Sequence, residues 1–335
     1  MQRVLVTGAA GFIGGHLVEA LKKEGYKVRA VDLRKDKWGI LDDKEIEFVK
    51  ADLTKKIDPS LLKDIDIIFH CAALFDFAAS KEDSFKFNVD MVENLCDAIL
   101  KSKVRRVIHW STAAGYGNTD DIEKADEETA FVPGNNYELS KSVGEEYIQD
   151  FHKKHDIGLT VLRPTGVYGP RSSYGTFISF EFLTKFPIRV IPGNGTALVS
   201  NVHVNDVVGS ALFLAKKKNT IGQTYNIADN KPIRIDETMN YLSKLLNVSP
   251  PSFHIGEPPV KIFLGFMEFL AKMKHERVSF CKNLSSYIFH NHIIDNTKLK
   301  KEGYKLKQPD FIKGVKPVLD WYFKEGILKK GSYKK

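Results

Sequence analysis

Residues 4–14 read Val4-Leu5-Val6-Thr7-Gly8-Ala9-Ala10-Gly11-Phe12-Ile13-Gly14, an apolar strand-like run that breaks into spaced glycines and then into a helical pattern. That order is what a dinucleotide-binding βα unit requires. Each glycine answers a separate need. Gly8 permits the tight turn, Gly11 lets backbone approach a pyrophosphate, and Gly14 allows close packing of a helix whose N-terminal N–H groups face the anion. Glycine spacing alone is a weak signal, because turns use glycine freely. The second sign is Asp32, which closes the next β-branched run near the position, about 20 residues past the last glycine, where an acidic residue binds ribose hydroxyls. A carboxylate there selects NAD over NADP, since a 2′-phosphate would meet a like charge. Arg34 and Lys35 are the contrary feature, because either could hold that phosphate. Asp52-Leu53 follows the third run, and Asp52 reads equally as an acceptor from the adenine amino group or as a helix N-cap.

Outward from this unit, β-branched runs at 4–6, 27–31, 47–49, 66–70, 107–110 and 160–162 alternate with helical periodicity over 14–24, 84–102 and 137–155. Repeated βαβ units of this kind predict an α/β fold with a Rossmann-type, doubly wound parallel sheet. After Arg163-Pro164 the alternation weakens and Gly/Pro punctuation clusters at 169–175, 192–195, 249–253 and 256–259. A helix over 202–215 and a strand over 224–228 return to the first unit. The expected division is a dinucleotide-binding domain of residues 1–169 and 198–230, with a smaller, irregular substrate domain of residues 170–197 and 231–335. No fixed-period repeat or low-complexity tract is present.

The composition of this 335-residue chain, 43% hydrophobic and 27% charged, is that of a globular protein with a sizeable core. The net charge of +8 is concentrated at the end, where residues 298–335 hold twelve lysines and no arginine against Glu302, Asp310, Asp320 and Glu325. The segment reads as a solvated basic surface, with peripheral contact to an anionic membrane left open. Nucleic acid is not an expected partner, because neither aromatic–arginine interleaving nor a finger or helix-turn-helix signature accompanies the charge. Cys71, Cys96 and Cys281 are odd in number and far apart, which suggests reduced thiols and a cytoplasmic protein. The strand-like opening MQRVLVTG, with no charged region ahead of a long apolar one, leads us to expect no secretory leader. The longest apolar stretch, 260–273, is interrupted by Lys261, Glu268 and Lys272 and falls short of the roughly 20 residues of a membrane span.

Chemistry is suggested by Tyr137 and Lys141, four apart on one helix face, because a lysine cation beside a phenol favours phenolate and prepares it for acid/base work. The pair alone is common on solvated helices. Its weight comes from following the glycine turn, Asp32 and a hydroxyl cluster, Ser111-Thr112, at the carboxyl end of the run 107–110, where either hydroxyl could polarise a carbonyl.

Together these residues resemble the extended short-chain dehydrogenase/reductase superfamily, through T-G-x-x-G-x-x-G at 7–14, H-C-A-A at 70–73, Y-x-x-x-K at 137–141 and L-R-P-x-x-V-Y-G-P at 162–170. The motifs occur in family order across most of the first 210 residues. The resemblance implies hydride transfer between nicotinamide and a substrate carbon, with Tyr137 as acid/base, Lys141 anchoring ribose and tuning Tyr137, and Thr112 bonding the substrate oxygen. It adds Asn88 to the catalytic set, although Met91 and Val92 replace the family's Gly and Thr after it. The implied NAD-binding set is Gly8, Gly11, Phe12, Ile13, Gly14, Asp32, Arg34, Asp52, Leu53, Ala72, Ala73, Tyr137, Lys141, Pro164 and Val167. It also implies a homodimer pairing through the helices at 84–102 and 137–155.

Departures from the pattern narrow the branch. Dehydratases of nucleotide sugars carry Thr-Asp-Glu where this chain has Thr112-Ala113-Ala114, so the acid and base for eliminating water are missing. Nucleotide-sugar members also usually show G-x-G followed by R-D, and here Gly193-Asn194-Gly195 is followed by Val199-Ser200. The guanidinium that would clamp a diphosphate is absent. Uncharged residues there are similar to the 3β-hydroxysteroid dehydrogenase and dihydroflavonol reductase branch, which implies oxidoreduction of a largely apolar secondary alcohol or ketone. The alternatives are a nucleotide-sugar epimerase that keeps its NAD and a non-catalytic nucleotide sensor, the latter disfavoured by intact Thr112, Tyr137 and Lys141.

Within 260–273, Ile262, Phe263, Phe266, Phe269 and Leu270 could line a pocket or a membrane-facing lip. The polar stripe Lys261, Gly265, Glu268 and Lys272 instead favours an amphipathic helix packed on its own domain. His203 is expected in a structural turn, with Asp206 capping the following helix. His290 and His292 form an H-x-H without a nearby carboxylate pair or cysteine, and no metal site is expected.

Overall fold

The computed structural model describes residues 2–186, 188–274, 278 and 280–329. Seven parallel strands form the central sheet: β1 (Arg3–Thr7), β2 (Lys27–Asp32), β3 (Ile46–Lys50), β4 (Ile67–His70), β5 (Arg106–Trp110), β6 (Gly158–Pro164) and β11 (Gln223–Ile227), in the order β11-β6-β5-β4-β1-β2-β3. A parallel sheet must be covered on both faces, and alternation along β1 shows how. Val4 and Val6 join one core with Leu17, Val18 and Leu21 of α1 (Phe12–Lys23) and Val207, Ala211 and Leu214 of α6 (Val204–Ala215). Leu5 points the other way, into a core with Leu95, Cys96 and Ile99 of α3 (Met91–Ile99) and Ile148 and Phe151 of α4 (Asn136–His155). Strand order reverses between β1 and β4, which opens a crevice at the carboxyl ends of these strands, the place such sheets bind ligands.

The helix expected over 84–102 is not continuous. It begins as α2 (Lys81–Phe85), capped by Ser80 accepting from the Asp83 amide at 3.0 Å, widens into one π-helical turn over Lys86–Asp90, and resumes as α3. The wide turn directs Asn88 inward, where it is buried. Such turns are rare and recur at functional sites.

Beyond β6 the chain makes short strand pairs: β7 (Gly166–Tyr168) with β10 (Asn201–His203), β8 (Val190–Pro192) with β13 (Phe253–Ile255), and β9 (Leu198–Val199) with β12 (Ile233–Arg234). Here α5 (Thr176–Lys185), α7 (Ile235–Leu246) and α11 (Phe311–Lys324) enclose a third core that includes Phe180, Leu183, Leu242, Val315, Leu319 and Tyr322. The remaining helices are α8 (Glu257–Met273), α9 (Leu284–Phe289) and α10 (Thr297–Lys301). His203, not Asp206, caps α6, its Nδ1 accepting from the Asn205 amide at 3.1 Å. Asp206 instead accepts from the amides of Lys307 and Gln308, at 2.6 and 2.8 Å, and so pins the segment before α11. No helix among the described residues is long and apolar enough to cross a membrane.

Candidate active site

The glycine turn is tight enough to exclude side chains. Gly8 has φ +66°, and a Cβ there would lie 2.8 Å from the Ala72 backbone at the end of β4, while a Cβ on Gly14 would lie 2.0 Å from the Gly8 carbonyl oxygen. Thr7 stiffens the turn from below, sharing a 2.7 Å hydrogen bond with His70 Nδ1 and accepting from the Ala72 amide at 3.2 Å. Asp32, at the end of β2, accepts from the Ala10 amide at 3.0 Å and from its neighbour Leu33 at 2.7 Å. No side chain caps the N-terminus of α1, which begins at Phe12 and Ile13, so its first N–H groups remain for an anion. Gly8, Gly11, Phe12, Ile13, Gly14, Asp32 and Ala72 thus gather around one turn, an arrangement that fits a dinucleotide's pyrophosphate and ribose.

The outlying members of the expected set sit differently. Arg34 is exposed, and Lys35 is engaged by Asp42 at 2.7 Å. Asp52 caps no helix; its carboxylate accepts from the amide and hydroxyl of Thr54 in a turn after β3, and Leu53 is buried in the core beneath. Ala73 is exposed beyond Ala72. Pro164 ends β6, and Val167 lies half-buried in β7.

At the carboxyl end of β5, Thr112 stands close enough to the Tyr137 phenol to favour its ionised form. Both residues are buried. Burial pushes the phenol's pKa far above its usual value, and the nearby Thr112 hydroxyl opposes that only in part. Lys141, one turn along α4, donates to the Trp110 carbonyl oxygen at 2.6 Å, and burial lowers its pKa to about 8 against the opposing attraction of Glu145. The sequence-based expectation was that the lysine cation would draw the phenol down. In the structure burial drives each group toward its neutral form, and Lys141 is not among the groups that shift the phenol, which are Thr112, Glu138 and Tyr174. Beneath them His70 and His109 stack at 5.3 Å, and burial holds both neutral, His70 at about 3.

Asn88 does not present a free amide. Its Oδ1 accepts from the Leu74 amide at 2.8 Å, and its Nδ2 donates to the Leu74 carbonyl at 3.1 Å and to the Ser140 hydroxyl at 2.9 Å. It ties the loop after β4 to α4, three residues past Tyr137.

Thr112 and Ala114 stand at one wall of a cavity of about 710 Å³, whose other walls include Phe182, Val199, Met239, Phe263 and Leu284. Among the described lining residues there is no lysine or arginine; Asp76 and His292 are the only carboxylate and imidazole. Val199 and Ser200, the uncharged pair noted in the sequence, are both in the wall. Phe75 sits between Tyr137 and Tyr174, its ring centroid 4.9 and 4.6 Å from theirs, and Phe77 lies 5.6 Å from Tyr137 while stacking on Tyr287 at 5.1 Å. Sequence reasoning missed these aromatics. The only available sign was the Phe75-Asp76-Phe77 alternation one residue after H-C-A-A. Glu138 was missed as well: it is the N3 partner of the Asn135 cap of α4 and receives the Tyr287 hydroxyl bond from α9.

Two other expectations are corrected. His290 does have carboxylates about it, Asp120 at 2.6 Å and Glu257 at 4.0 Å, because the loop at 118–121 folds back onto the start of the 290–294 segment. No group of three metal-ligating side chains is found among the described residues. And α8 is not simply packed on its own domain, since it lines the cavity on one side while its other apolar side faces outward.

Comparison with known proteins agrees with this geometry. The chain is 28% identical over 263 residues to bovine (Bos taurus) sterol-4-alpha-carboxylate 3-dehydrogenase, decarboxylating, covering 76% of this chain and 72% of that one. It is 30% identical over 250 residues to a putative UDP-glucose 4-epimerase of Methanocaldococcus jannaschii, covering 71% and 81%. The fold is shared with MoeE5 in complex with UDP-glucose and NAD, at a TM-score of 0.77 and 24% identity over 96% of this chain and 99% of that one. A family model, NAD dependent epimerase/dehydratase, matches residues 4–228. The chain belongs to that family of NAD-dependent enzymes, the extended short-chain dehydrogenase/reductases.

Proposed function

We propose that the protein interconverts a secondary alcohol and a ketone on a largely apolar small molecule, with NAD held by the glycine turn and Asp32. The observation that carries this reading is the cavity beside Thr112, which offers no described cation to a diphosphate but a continuous apolar wall. Burying a diphosphate there would leave its charge unpaired, whereas a hydrocarbon body gains by leaving water.

In the oxidative direction, Tyr137 takes the proton of the substrate hydroxyl and Thr112 holds the substrate oxygen. Lys141, fixed to the Trp110 carbonyl, supplies the cation that stabilises the phenolate as it forms. Bound NAD supplies the hydride acceptor. Asn88 acts as a positioning residue, holding the loop before Phe75 against α4. Phe75 and Phe77 exclude water from the Tyr137 hydroxyl. The enzyme acts as a homodimer paired through α3 and α4, which light scattering tests.

The test is NAD reduction with a panel of steroid-like and flavonoid-like secondary alcohols, beside uridine diphosphate sugars. Turnover of an apolar alcohol is the expected result, and turnover confined to nucleotide sugars overturns the reading. A second reading, an epimerase that keeps its NAD, is supported by the 30% identical Methanocaldococcus relative. Extraction of nucleotide from denatured protein separates the two: an epimerase retains stoichiometric NAD, because each cycle regenerates it, and a dehydrogenase exchanges it.

A further inference from the structure

Along α8, Val260 and Leu264 are buried and Phe263 lines the cavity, yet Ile262, Phe266, Phe269 and Met273 are 75, 56, 57 and 64% exposed. Those positions advance by threes and fours, so they form one stripe along the outer side of the helix. The cavity opens beside it. Ile188 and Phe263 both line the cavity and are exposed, and Phe186 packs 5.8 Å from both Phe263 and Phe280. Exposed Phe253 on β13 lies in register with the cavity residue Val190 of β8. Apolar surface outside the mouth is therefore continuous with apolar surface inside.

The stripe is flanked by lysines, and its C-terminal end is basic. Glu257 and Glu268 are bound by Lys261 and Lys272, at 2.8 and 2.6 Å, and Lys274 and Lys282 add exposed cations toward the C-terminal end. An apolar stripe with lysine flanks, on a helix too short to cross a bilayer, is the pattern of a helix lying in the membrane–water interface. We propose that α8, with Ile188 and Phe253, docks the cavity mouth on an anionic lipid bilayer and admits apolar substrate directly from it. A protein partner would have no use for continuity between the surface and the cavity, whereas a bilayer is where such a substrate resides. The delivery step rests on the apolar-substrate reading; the docking step rests on α8 alone.

The experiment is co-sedimentation of the full chain with phosphatidylcholine vesicles, with and without phosphatidylserine. Wild type is expected to sediment with the phosphatidylserine vesicles. Phe266→Ser with Phe269→Ser should reduce that binding by about tenfold or more, since the apolar stripe supplies the insertion. Lys274→Glu with Lys282→Glu should abolish the preference for phosphatidylserine. NAD binding, measured by fluorescence, should be unchanged in both variants and serves as the check on folding. Wild type left in the supernatant with both vesicles, or a serine variant that binds as well as wild type, overturns the proposal. So does a dimer in lipid-free solution that the serine variant dissociates, because the stripe would then belong to a second copy. Vesicle binding without turnover of any apolar alcohol sinks the activity and leaves the docking surface standing; turnover without vesicle binding does the reverse.

Discussion

Asp32 accepts a hydrogen bond from the Ala10 amide at 3.0 Å, so the acidic end of β2 is fastened to the middle of the glycine turn. One carboxylate therefore shapes the turn and, in the proposed reading, also binds the ribose. Asp32→Ala should weaken NAD binding at least about tenfold, the loss of roughly 1.4 kcal/mol that one charge-assisted hydrogen bond can supply. Titration calorimetry with NAD and NADP checks it. The variant should also narrow the preference for NAD, and an unchanged preference would remove Asp32 from the selection.

Tyr137→Phe keeps the ring among Phe75, Phe77 and Thr112 and deletes only the hydroxyl. Turnover should fall by roughly a hundredfold to ten-thousandfold, the usual contribution of a positioned acid/base, with NAD affinity unchanged. Single-turnover NAD reduction separates the two quantities.

Burial lowers the pKa of Lys141 to about 8, below its unfolded value of 10.5. Between those values the unfolded chain holds the extra proton, so stability rises with pH from about 8 to 10.5 and is lost again as pH falls from 10.5 to 8. The full span is worth about 3 kcal/mol. Lys141→Met should lack this rise, which urea unfolding of both proteins at pH 7.5, below the window, and at pH 9 and 10, within it, would reveal as a gap that changes with pH.

Arg163 grips Glu145 through both Nε and Nη2, at 3.1 and 2.6 Å, with side chains 11% and 3% exposed, and also donates to the Tyr116 hydroxyl. Arg163→Met should destabilise the fold by about 3–5 kcal/mol, because it removes the guanidinium from a buried carboxylate and leaves it only the Gln149 amide at 2.8 Å. Chemical unfolding measures it. The double variant with Glu145→Gln should recover part of the loss.

Asn88→Ala should reduce turnover while leaving NAD affinity near wild type, since its amide bonds reach Leu74 and Ser140 and none reaches the glycine turn. A split between kcat and cofactor Kd is the expected result. A loss in stability alone would make the residue purely structural.

Most of the sheet was legible in the sequence because its signals are local. β1 runs into the glycine turn within a few residues, and the strands at 27–32, 67–70 and 106–110 carry their own β-branched runs. The π-helical turn at Asn88 was not legible, because its single extra residue is absorbed by packing against Ser140 and Gly144, where a Cβ would lie 2.4 Å from the Asn88 carbonyl oxygen. The aromatic wall was hidden for another reason. Phe75, Tyr174 and Tyr287 come from three distant loops and helices, and only tertiary packing brings their rings together. The opposed shifts of Tyr137 and Lys141 were illegible as well, since spacing along a helix says nothing of how much water remains around it.

The chain visits the cavity before β11 is laid at the sheet's edge, and visits it again afterwards. Ile178 and Val199 reach the wall on the first passage, Met239, Phe263 and Leu284 on the second. No single contiguous stretch can therefore be cut out and transplanted to carry the pocket with it. In this architecture, specificity is inherited residue by residue around a shared frame, and exchange of whole cassettes between relatives would break the sheet before it altered the pocket.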